Sequence, residues 1–256
     1  MAVHKFYTES PLRNYAYLFD LNEKDVVAID PLFSEQIIDW CKENGKNLST
    51  ILITHEHPDH IHALDELRES FQTDVWAHPS MNSHISGITK ELCEGDLIQT
   101  ADGEVEILHT PGHTPTHICL LFKKNGKQTD FIAMDTVFNA GVGHCKLGGN
   151  PNILYKTIKR LATELSGDVI LHPGHDYIEK NLKFTLDREP DNQKANELLD
   201  RVRREGGLNI QTTISEEKEI NVFFRLNSDS VIANLSEKNL SEEEVFIKLR
   251  KLRDNF

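Results

Sequence analysis

The sequence predicts an α/β protein in two parts, a mixed α/β segment followed by a mostly helical one. Up to about residue 175, short apolar runs typical of β-strands alternate with helical or loop segments. From about residue 178 the apolar residues recur mainly with a helical period. Because strands and helices alternate only in the first part, we expect two domains, 1–175 and 176–256.

Each predicted element rests on a local pattern of apolar residues and turn residues. Eight strands are predicted, at 15–21, 25–29, 50–53, 74–77, 105–108, 117–122, 131–134 and 169–171. Six helices are predicted, at 34–44, 61–70, 153–165, 180–188, 192–204 and 242–252. Ser34 is expected to cap the first helix and Gly45 to end it. The Asn125-Gly126 pair predicts a hairpin turn, and the run 222–225 is either a short strand or irregular.

Composition and charge exclude several classes of function. The 256 residues carry a net charge of −13, which argues against a nucleic-acid backbone or an anionic membrane surface as the main partner. A small anionic substrate needs only a local cationic patch and remains compatible. The beginning of the sequence has no secretory apolar segment, and no stretch approaches membrane-spanning length. With four widely spaced cysteines, we expect a cytoplasmic protein with reduced thiols.

The segment 54–60, Thr-His-Glu-His-Pro-Asp-His, is the strongest functional signal in the chain. It directly follows the apolar run 51–53, which predicts a buried strand that delivers the segment to a site. Imidazole and carboxylate groups are ligands of zinc, iron and manganese. A solvated histidine-rich loop would lack further ligand types downstream, so we expect a metal site, with room for two ions.

Three more ligand candidates follow other predicted strands. His113 follows the strand 105–108, Asp135 ends the strand 131–134, and His175 follows the strand 169–171. Taken singly, a histidine after a glycine turn is more often structural. Together with the first segment they give five histidines and two aspartates, which is enough for two metals that share a bridging carboxylate.

The order and spacing of these residues resemble the metallo-β-lactamase superfamily and, more narrowly, the glyoxalase II (hydroxyacylglutathione hydrolase) family. The resemblance rests on the segments THEHPDH, PGHTPTHI, MDT, PGHDYIEKNLKFTLDREPDN, NVFFRL and LRKLRDNF. These segments span nearly the whole chain. The resemblance implies a four-layer αββα sandwich with a mostly helical C-terminal domain that closes the substrate pocket.

The resemblance also implies a ligand set for two divalent metal ions. One metal would be held by three histidines, the other by a mixed set, and one carboxylate would bridge them: His55, His57 and His113; Asp59, His60 and His175; and Asp135. Asp30 resembles a carboxylate that orients a ligand imidazole, although an aspartate opening a turn before proline is an equally simple interpretation. We expect zinc, with iron or manganese also compatible.

The implied activity is hydrolysis of a glutathione thioester, similar to S-lactoylglutathione, to a hydroxy acid and a free thiol. A metal-bridging hydroxide would attack the carbonyl, with Asp59 and Asp135 as the catalytic carboxylates. Two alternatives stay open: another ester or lactone hydrolase of the superfamily, and an iron persulfide dioxygenase, which needs only two histidines and one aspartate. The charge disfavours a nuclease. A non-enzymatic metal-binding module would have lost ligands, and all seven positions are intact.

At the positions that would bind the thiol, the sequence departs from the family. The implied substrate-binding residues are His144, Lys146, Tyr177, Arg250 and Arg253. Glutathione-binding members have Lys and Tyr at the positions of His144 and Lys146, so the cation and the ring are exchanged. The arginines also have a simpler explanation, as cations at a helix C-terminus.

Three further positions complete the comparison with the family. The family usually has glycine at the positions of Thr116 and Met134, and both departures are expected to affect packing more than chemistry. Cys145 carries no local sign of a nucleophile and is expected to pack in the pocket. As partners we expect a small-molecule thioester, with neither nucleic acid nor membrane, and a monomer or small homo-oligomer.

Overall fold

The computed structural model describes residues 2–235, 237 and 239–256. The chain divides into two compact units. Unit 1 comprises Met1–His109 and Thr116–Thr129, and unit 2 comprises Thr110–Pro115 and Asp130–Phe256. This division follows the density of contacts, so the domain boundary between residues 175 and 176 stays a prediction.

Unit 1 contains a six-stranded sheet whose strands lie side by side in chain order. The strands are β1 (Val3–Tyr7), β2 (Tyr15–Asp20), β3 (Asp25–Ile29), β4 (Asn47–Ile53), β5 (Asp74–Ala77) and β6 (Lys90–Glu91), and the helices are α1 (Ser34–Asn44), α2 (Pro58–Ile61) and α3 (Leu64–Phe71). The first three strands are antiparallel, and β3 to β6 are parallel. The parallel strands β3 and β4 are almost wholly buried, which explains their continuous apolar runs.

The helices of unit 1 confirm part of the prediction. The bounds of α1 are those expected, and Gly45 ends it in the left-handed conformation with φ 62°. Ser34 does not cap this helix: the N-cap is Phe33, and Ser34 is buried in the first turn. The helix predicted at 61–70 is found as α3, which begins three residues later, at Leu64. The short helix α2 before it was not predicted, and Pro58 occupies its first helical position.

A second set of strands in unit 1 is an antiparallel meander. It comprises β7 (Leu97–Thr100), β8 (Gly103–His109) and β9 (Ile118–Lys124). The predicted hairpin follows it: Asn125 and Gly126 both have positive φ, 52° and 74°, as a type I′ turn requires. The turn leads into β10 (Lys127–Met134). Three strands of unit 1 were not predicted, β1, β6 and β7. They are largely exposed or half-buried and therefore lack an apolar run.

Unit 2 contains two short strand pairs and most of the helices. Its elements are the end of β10, β11 (Val137–Phe138), β12 (Gly141–Val142), α4 (Pro151–Glu164), β13 (Ile170–Pro173), α5 (Ile178–Arg188), α6 (Gln193–Glu205), α7 (Ile214–Ile220), α8 (Asp229–Ala233) and α9 (Glu242–Arg253). The end of β10 pairs in parallel with β13, and β11 and β12 form a hairpin. Apolar residues of α5 and α6, among them Leu182 and Leu199, form one buried cluster of this unit.

The predicted helices after residue 178 are confirmed, with small shifts at their ends. The open run 222–225 is a 3-10 turn, Val222–Phe224. The helices α7 and α8 were not predicted, because seven and five residues are too few to establish a helical period. Thr213 and Glu216 form a capping box at α7, which was the available signal. Within the part of the chain that the structure describes, no helix is long and apolar enough to span a membrane.

Candidate metal centre and substrate pocket

The four ligand candidates of unit 1 lie where β4 ends and α2 begins. His55 and His60 are fully buried, and His57 is nearly so. Pro58 begins α2, which places Asp59 and His60 in the same helical turn. The Nε2 atom of His60 lies 3.5 Å from the Oδ2 atom of Asp59. One strand end and one proline therefore position all four side chains.

Asp30, which directly follows the neighbouring strand β3, holds this segment. Its carboxylate accepts hydrogen bonds from the Thr54 amide (2.7 Å) and the Thr54 hydroxyl, and it lies 2.9 Å from His60 Nδ1. Burial raises the pKa of Asp30, while the hydrogen bonds from His60 and Thr54 oppose that shift. Donation from Nδ1 turns Nε2 of His60 toward Asp59. Asp30 itself has φ 47°, a costly conformation that tertiary contacts maintain.

The three candidates of unit 2 are arranged around one carboxylate. His113 Nε2 lies 3.3 Å from Asp135 Oδ2, and His175 Nε2 lies 3.3 Å from Asp135 Oδ1. Charge-assisted hydrogen bonds are shorter, at about 2.7–2.9 Å. Two ligands of one tetrahedral ion, each bonded at about 2.0–2.1 Å, lie about 3.3 Å apart. These separations therefore fit an Asp135 carboxylate that offers one oxygen to each of two metals.

The backbone after Asp135 fixes the ring of His113. His113 Nδ1 lies 2.7 Å from the carbonyl oxygen of His144, so this ring nitrogen donates and Nε2 is left to face Asp135. A side chain at Gly143 would collide with the Asp135 carbonyl oxygen at 2.0 Å and with His113 Nδ1 at 2.8 Å. Glycine is required there because the backbone packs directly on these two ligand candidates.

A buried carboxylate supports the β11–β12 hairpin. Glu217 is fully buried and accepts hydrogen bonds from the Ala140 amide (2.9 Å), Thr212 Oγ1 (2.7 Å) and Asn221 Nδ2 (2.9 Å). Burial raises the pKa of Glu217 to about 7, although these donors favour the charged form. Ala140 has φ 56°, a left-handed conformation unusual for alanine, and its bond to Glu217 helps to hold the turn.

All five predicted substrate-binding residues line one cavity of about 280 Å³ in unit 2. The lining residues are Phe138, Val142, His144, Lys146, Tyr177, Lys180, Asn181, Arg250, Arg253 and Asp254. Of these described lining residues, four are basic (Lys or Arg) and one, Asp254, is acidic. The Tyr177 ring stacks on the His175 ring, with centroids 4.9 Å apart and planes 3° from parallel. The cavity is thus a cationic pocket next to a metal-ligand candidate.

The two arginines of the pocket differ in their surroundings. Arg250 is 5% exposed and donates from Nη1 to the carbonyl oxygens of Val142 (2.8 Å) and Gly143 (3.1 Å). Arg253 is half-buried and donates to Asn181 Oδ1 at 2.9 Å. Burial and the neighbouring Arg250 lower the pKa of Arg253 to about 10, so it remains a cation at neutral pH. Arg250 therefore supports the hairpin, and Arg253 is the more accessible charge.

The structure also describes Cys145 and the two positions, Met134 and Thr116, at which the family usually has glycine. Burial raises the pKa of Cys145 to about 11, so this thiol is protonated at neutral pH, as expected for a packing residue. Met134 has φ 42°, a conformation that favours glycine and explains the family's residue there. The Thr116 hydroxyl donates to the carboxylate of Glu56.

Three polar residues near these sites were missed by the sequence analysis. Asn14 Nδ2 donates to Asp59 Oδ2 at 2.8 Å, Lys180 lines the pocket, and Glu217 supports the hairpin. Asn14 is 45 residues before Asp59, and Glu217 is 77 residues after Ala140. No local pattern relates positions so far apart, so the sequence alone carried no signal for Asn14 and Glu217. Lys180 stands three residues after the predicted pocket residue Tyr177, and that short spacing was the available signal.

Comparison with known families divides the chain into two matches. Residues 10–175 match the model of the metallo-beta-lactamase superfamily. Residues 176–256 match the model of the hydroxyacylglutathione hydrolase C-terminus. The two models together cover nearly the whole chain, and the first alone covers more than half of it.

Relatives and solved structures agree with these matches. The chain is 37% identical to a hydroxyacylglutathione hydrolase of Nitrosococcus oceani and 39% identical to one of a Polaromonas species, with both proteins covered over their full length. Among solved structures, ETHE1 from Myxococcus xanthus superimposes with a TM-score of 0.67 at 23% identity, covering 99% of this chain and 98% of that one. A metallo-beta-lactamase from Staphylococcus aureus gives the same TM-score at 18% identity, covering 99% and 71%. The predicted α/β metallo-beta-lactamase fold with a helical C-terminal region is confirmed, and the chain belongs to the hydroxyacylglutathione hydrolase family of that superfamily.

Proposed function

We propose that this protein hydrolyses a glutathione thioester, similar to S-lactoylglutathione, to a hydroxy acid and free thiol in a metal-dependent reaction. The observation that carries the proposal is the Asp135 carboxylate, with one imidazole 3.3 Å from each oxygen. Family membership supports the thioester substrate, because full-length relatives at 37% and 39% identity bear the name hydroxyacylglutathione hydrolase.

Two divalent ions are part of the proposal. The ligands would be His55, His57 and His113 for one ion, Asp59, His60 and His175 for the other, and Asp135 for both. The donor set is nitrogen and carboxylate oxygen, which suits zinc and also iron or manganese, and we favour zinc. When bound, two such ions lower the pKa of water to about 7 and stabilise negative charge on the carbonyl oxygen.

The chain's own residues orient the ligand imidazoles and exclude bulk water from the site. Asp30 and the His144 carbonyl hold His60 and His113 by their Nδ1 atoms, which fixes the direction of each Nε2. The burial of the ligand histidines keeps bulk water from competing at the site. Asp59, which is less buried than the ligand histidines, would accept a proton from the attacking water. A thiolate leaves readily, so the reaction needs no strong general acid.

The pocket of unit 2 would bind the thiol part of the substrate. Arg253 and Lys146 offer cations to the carboxylates of glutathione, with His144 and Arg250 beside them. Tyr177 would contact the substrate next to His175, on which its ring stacks. A net positive lining in a chain of charge −13 is what an anionic small molecule requires.

One observation favours a second candidate, another ester or lactone hydrolase of the superfamily. His144 and Lys146 exchange the cation and the ring of glutathione-binding members. If that exchange weakens binding of the thiol, the pocket would suit a different leaving group. The persulfide dioxygenase alternative is disfavoured, because it needs one iron with three ligands and this chain retains seven ligand positions. The match of residues 176–256 to the hydrolase C-terminus also favours the hydrolase.

The test pairs metal content with substrate turnover. The purified protein is expected to hold two ions per chain and to consume S-D-lactoylglutathione, followed as loss of thioester absorbance. Two ions with turnover of esters or lactones, but none of that thioester, would replace the proposed substrate and keep the metal centre. A single ion would remove the two-metal proposal. A cytoplasmic location and a monomer or small homo-oligomer stay predictions.

A further inference from the structure

Asn14, the residue before β2, contacts the predicted metal ligand Asp59. Its Nδ2 atom donates to Asp59 Oδ2 at 2.8 Å and lies 3.4 Å from the backbone oxygen of the same residue. Asn14 is 1% exposed, so water competes little for this bond. Because one amide reaches both the carboxylate and the carbonyl of Asp59, it restrains the side chain relative to its own backbone.

Ser10 determines which way the Asn14 amide points. The Asn14 backbone amide donates to Ser10 Oγ at 3.2 Å, so the serine hydroxyl has its hydrogen available for Asn14 Oδ1, 2.7 Å away. An amide oxygen that accepts from Ser10 leaves the Nδ2 group for Asp59. The positions of Oδ1 and Nδ2 in the Asn14 side-chain amide are therefore determined by its hydrogen-bond partners.

The loop that carries Asn14 is built around this arrangement. Glu9 and Arg13 have φ 53° and 59°, conformations that non-glycine residues adopt only when the surroundings hold them. The amide and the hydroxyl of Thr8 both donate to the Asn14 carbonyl oxygen at 3.1 Å. The loop closes on itself through Asn14 and presents its side chain to the ligand segment.

We infer that Asn14 is a positioning residue for Asp59 in the metal centre. The inference rests on the proposed function, in which Asp59 is a ligand. The oxygen that accepts from Asn14 is also the one 3.5 Å from His60 Nε2. A carboxylate oxygen has two lone pairs, so it can accept the amide and bind an ion at once. Hydrogen bonds to ligating groups typically change metal affinity by about 10–100-fold.

The test is a zinc titration of the full-length metal-free protein against a competing chelator. Asn14→Leu removes the donor and keeps the side-chain volume, and we expect affinity for the more weakly bound zinc ion to fall about 10–100-fold. Ser10→Ala lets the amide turn, so it is expected to give a smaller loss. In the Asn14→Leu background, Ser10→Ala should add nothing, because its effect passes through the missing amide.

A matched control shows whether a fall in zinc affinity is specific to Asn14 or follows from replacing any asparagine. Asn22 donates to Asp25 Oδ2 at 2.9 Å in an exposed turn, so Asn22→Leu breaks the same type of bond away from the ligands and should titrate like the wild type. If Asn14→Leu does not fold, judged by circular dichroism, Ser10→Ala carries the test.

Two results would overturn the inference in distinguishable ways. If Asp59→Ala loses one zinc ion while the Asn14 and Ser10 variants titrate like the wild type, Asn14 does not position the ligand and the proposed function stands. If Asp59→Ala keeps both ions, the proposed ligand set is wrong, and the inference fails with it.

Discussion

The ligand candidates and the pocket residues are held in different ways. His60 and His113 are buried, and each has its Nδ1 atom bonded to a fixed oxygen of the protein. Lys146 is exposed, and Arg253 is half-buried on the last turn of α9. The ligand candidates are thus buried and hydrogen-bonded, whereas these pocket cations are more accessible to solvent. Substitutions should therefore act on turnover at the ligands and on substrate affinity in the pocket.

Replacement of Asp135, the proposed bridging carboxylate, is expected to have the largest effect. Asp135→Ala removes the oxygens that lie 3.3 Å from His113 and His175, so metal binding and charge stabilisation are lost together. We expect kcat/KM with S-D-lactoylglutathione to fall about 1,000-fold or more, which corresponds to about 4 kcal/mol of transition-state stabilisation. Bound metal is measured on the same sample by elemental analysis.

A second carboxylate of the same strand provides the control. Asp130 also lies in β10 and pairs with an imidazole, His172, at 2.9 Å, but neither belongs to the ligand set. Asp130→Asn is expected to keep its metal and most of its turnover. If Asp135→Ala retains two ions and turns over substrate like the control, the two-metal centre is wrong.

Glu217 supports the hairpin between the ligand candidate Asp135 and the pocket residue His144, and its burial predicts a pH effect on stability. Its pKa is raised to about 7 in the folded protein, from 4.5. An acid whose folded pKa is raised stabilises the fold at low pH, and this contribution is lost as the pH rises from about 4.5 through about 7. Relative to Glu217→Gln, the wild type is expected to lose up to about 3 kcal/mol of unfolding free energy over that range.

The measurement is urea unfolding of both proteins at pH 5 and pH 8. Glu219 lies on the same helix but is exposed, so Glu219→Gln removes an equal charge and is expected to show no comparable dependence on pH. A wild-type-minus-Gln difference that stays constant between the two pH values would contradict a raised pKa for Glu217.

The sequence predicted the metal-ligand candidates more readily than their supports. His55, His57, Asp59 and His60 stand within six residues after one buried strand, so local pattern alone predicted their role. His113, Asp135 and His175 lie at separate strand ends, and a parallel pair such as β10 and β13 brings such ends to one edge. The six predicted helices were likewise found, because each is long enough to show a period.

The residues that the sequence could not reveal act through contacts between distant segments. Asn14, Glu217 and the Arg250 bond to Val142 are each meaningful only once the chain is folded. The short helix α8 and the exposed strand β6 were missed for a different reason, since five or two residues carry too little pattern. Local sequence thus predicts the candidate ligands, and the tertiary structure shows which residues support them.

A smaller effect is expected from the accessible cation of the pocket. Arg253→Ala removes a charge-assisted donor for a substrate carboxylate, so KM for S-D-lactoylglutathione should rise about 10-fold with kcat nearly unchanged. Arg204 is an exposed cation in the last turn of α6, and Arg204→Ala tests the simpler role at a helix C-terminus. Equal KM values for the two variants would remove Arg253 from substrate binding and leave the helix role.

The smallest effect is expected at Cys145, which lies between the pocket residues His144 and Lys146. With its pKa raised to about 11 by burial, only about one thiol in 10,000 is ionised at pH 7, and the thiolate is the reactive form. Cys145→Ala should therefore leave kcat/KM within about twofold of the wild-type value, since packing is all that changes.

Alkylation with iodoacetamide provides an independent measurement, with the exposed Cys93 as the internal reference. Mass spectrometry should show Cys93 alkylated first with activity retained. Loss of activity in step with Cys145 alkylation, together with an inactive Cys145→Ala variant, would place this thiol in the chemistry, because a residue that only packs cannot account for both results.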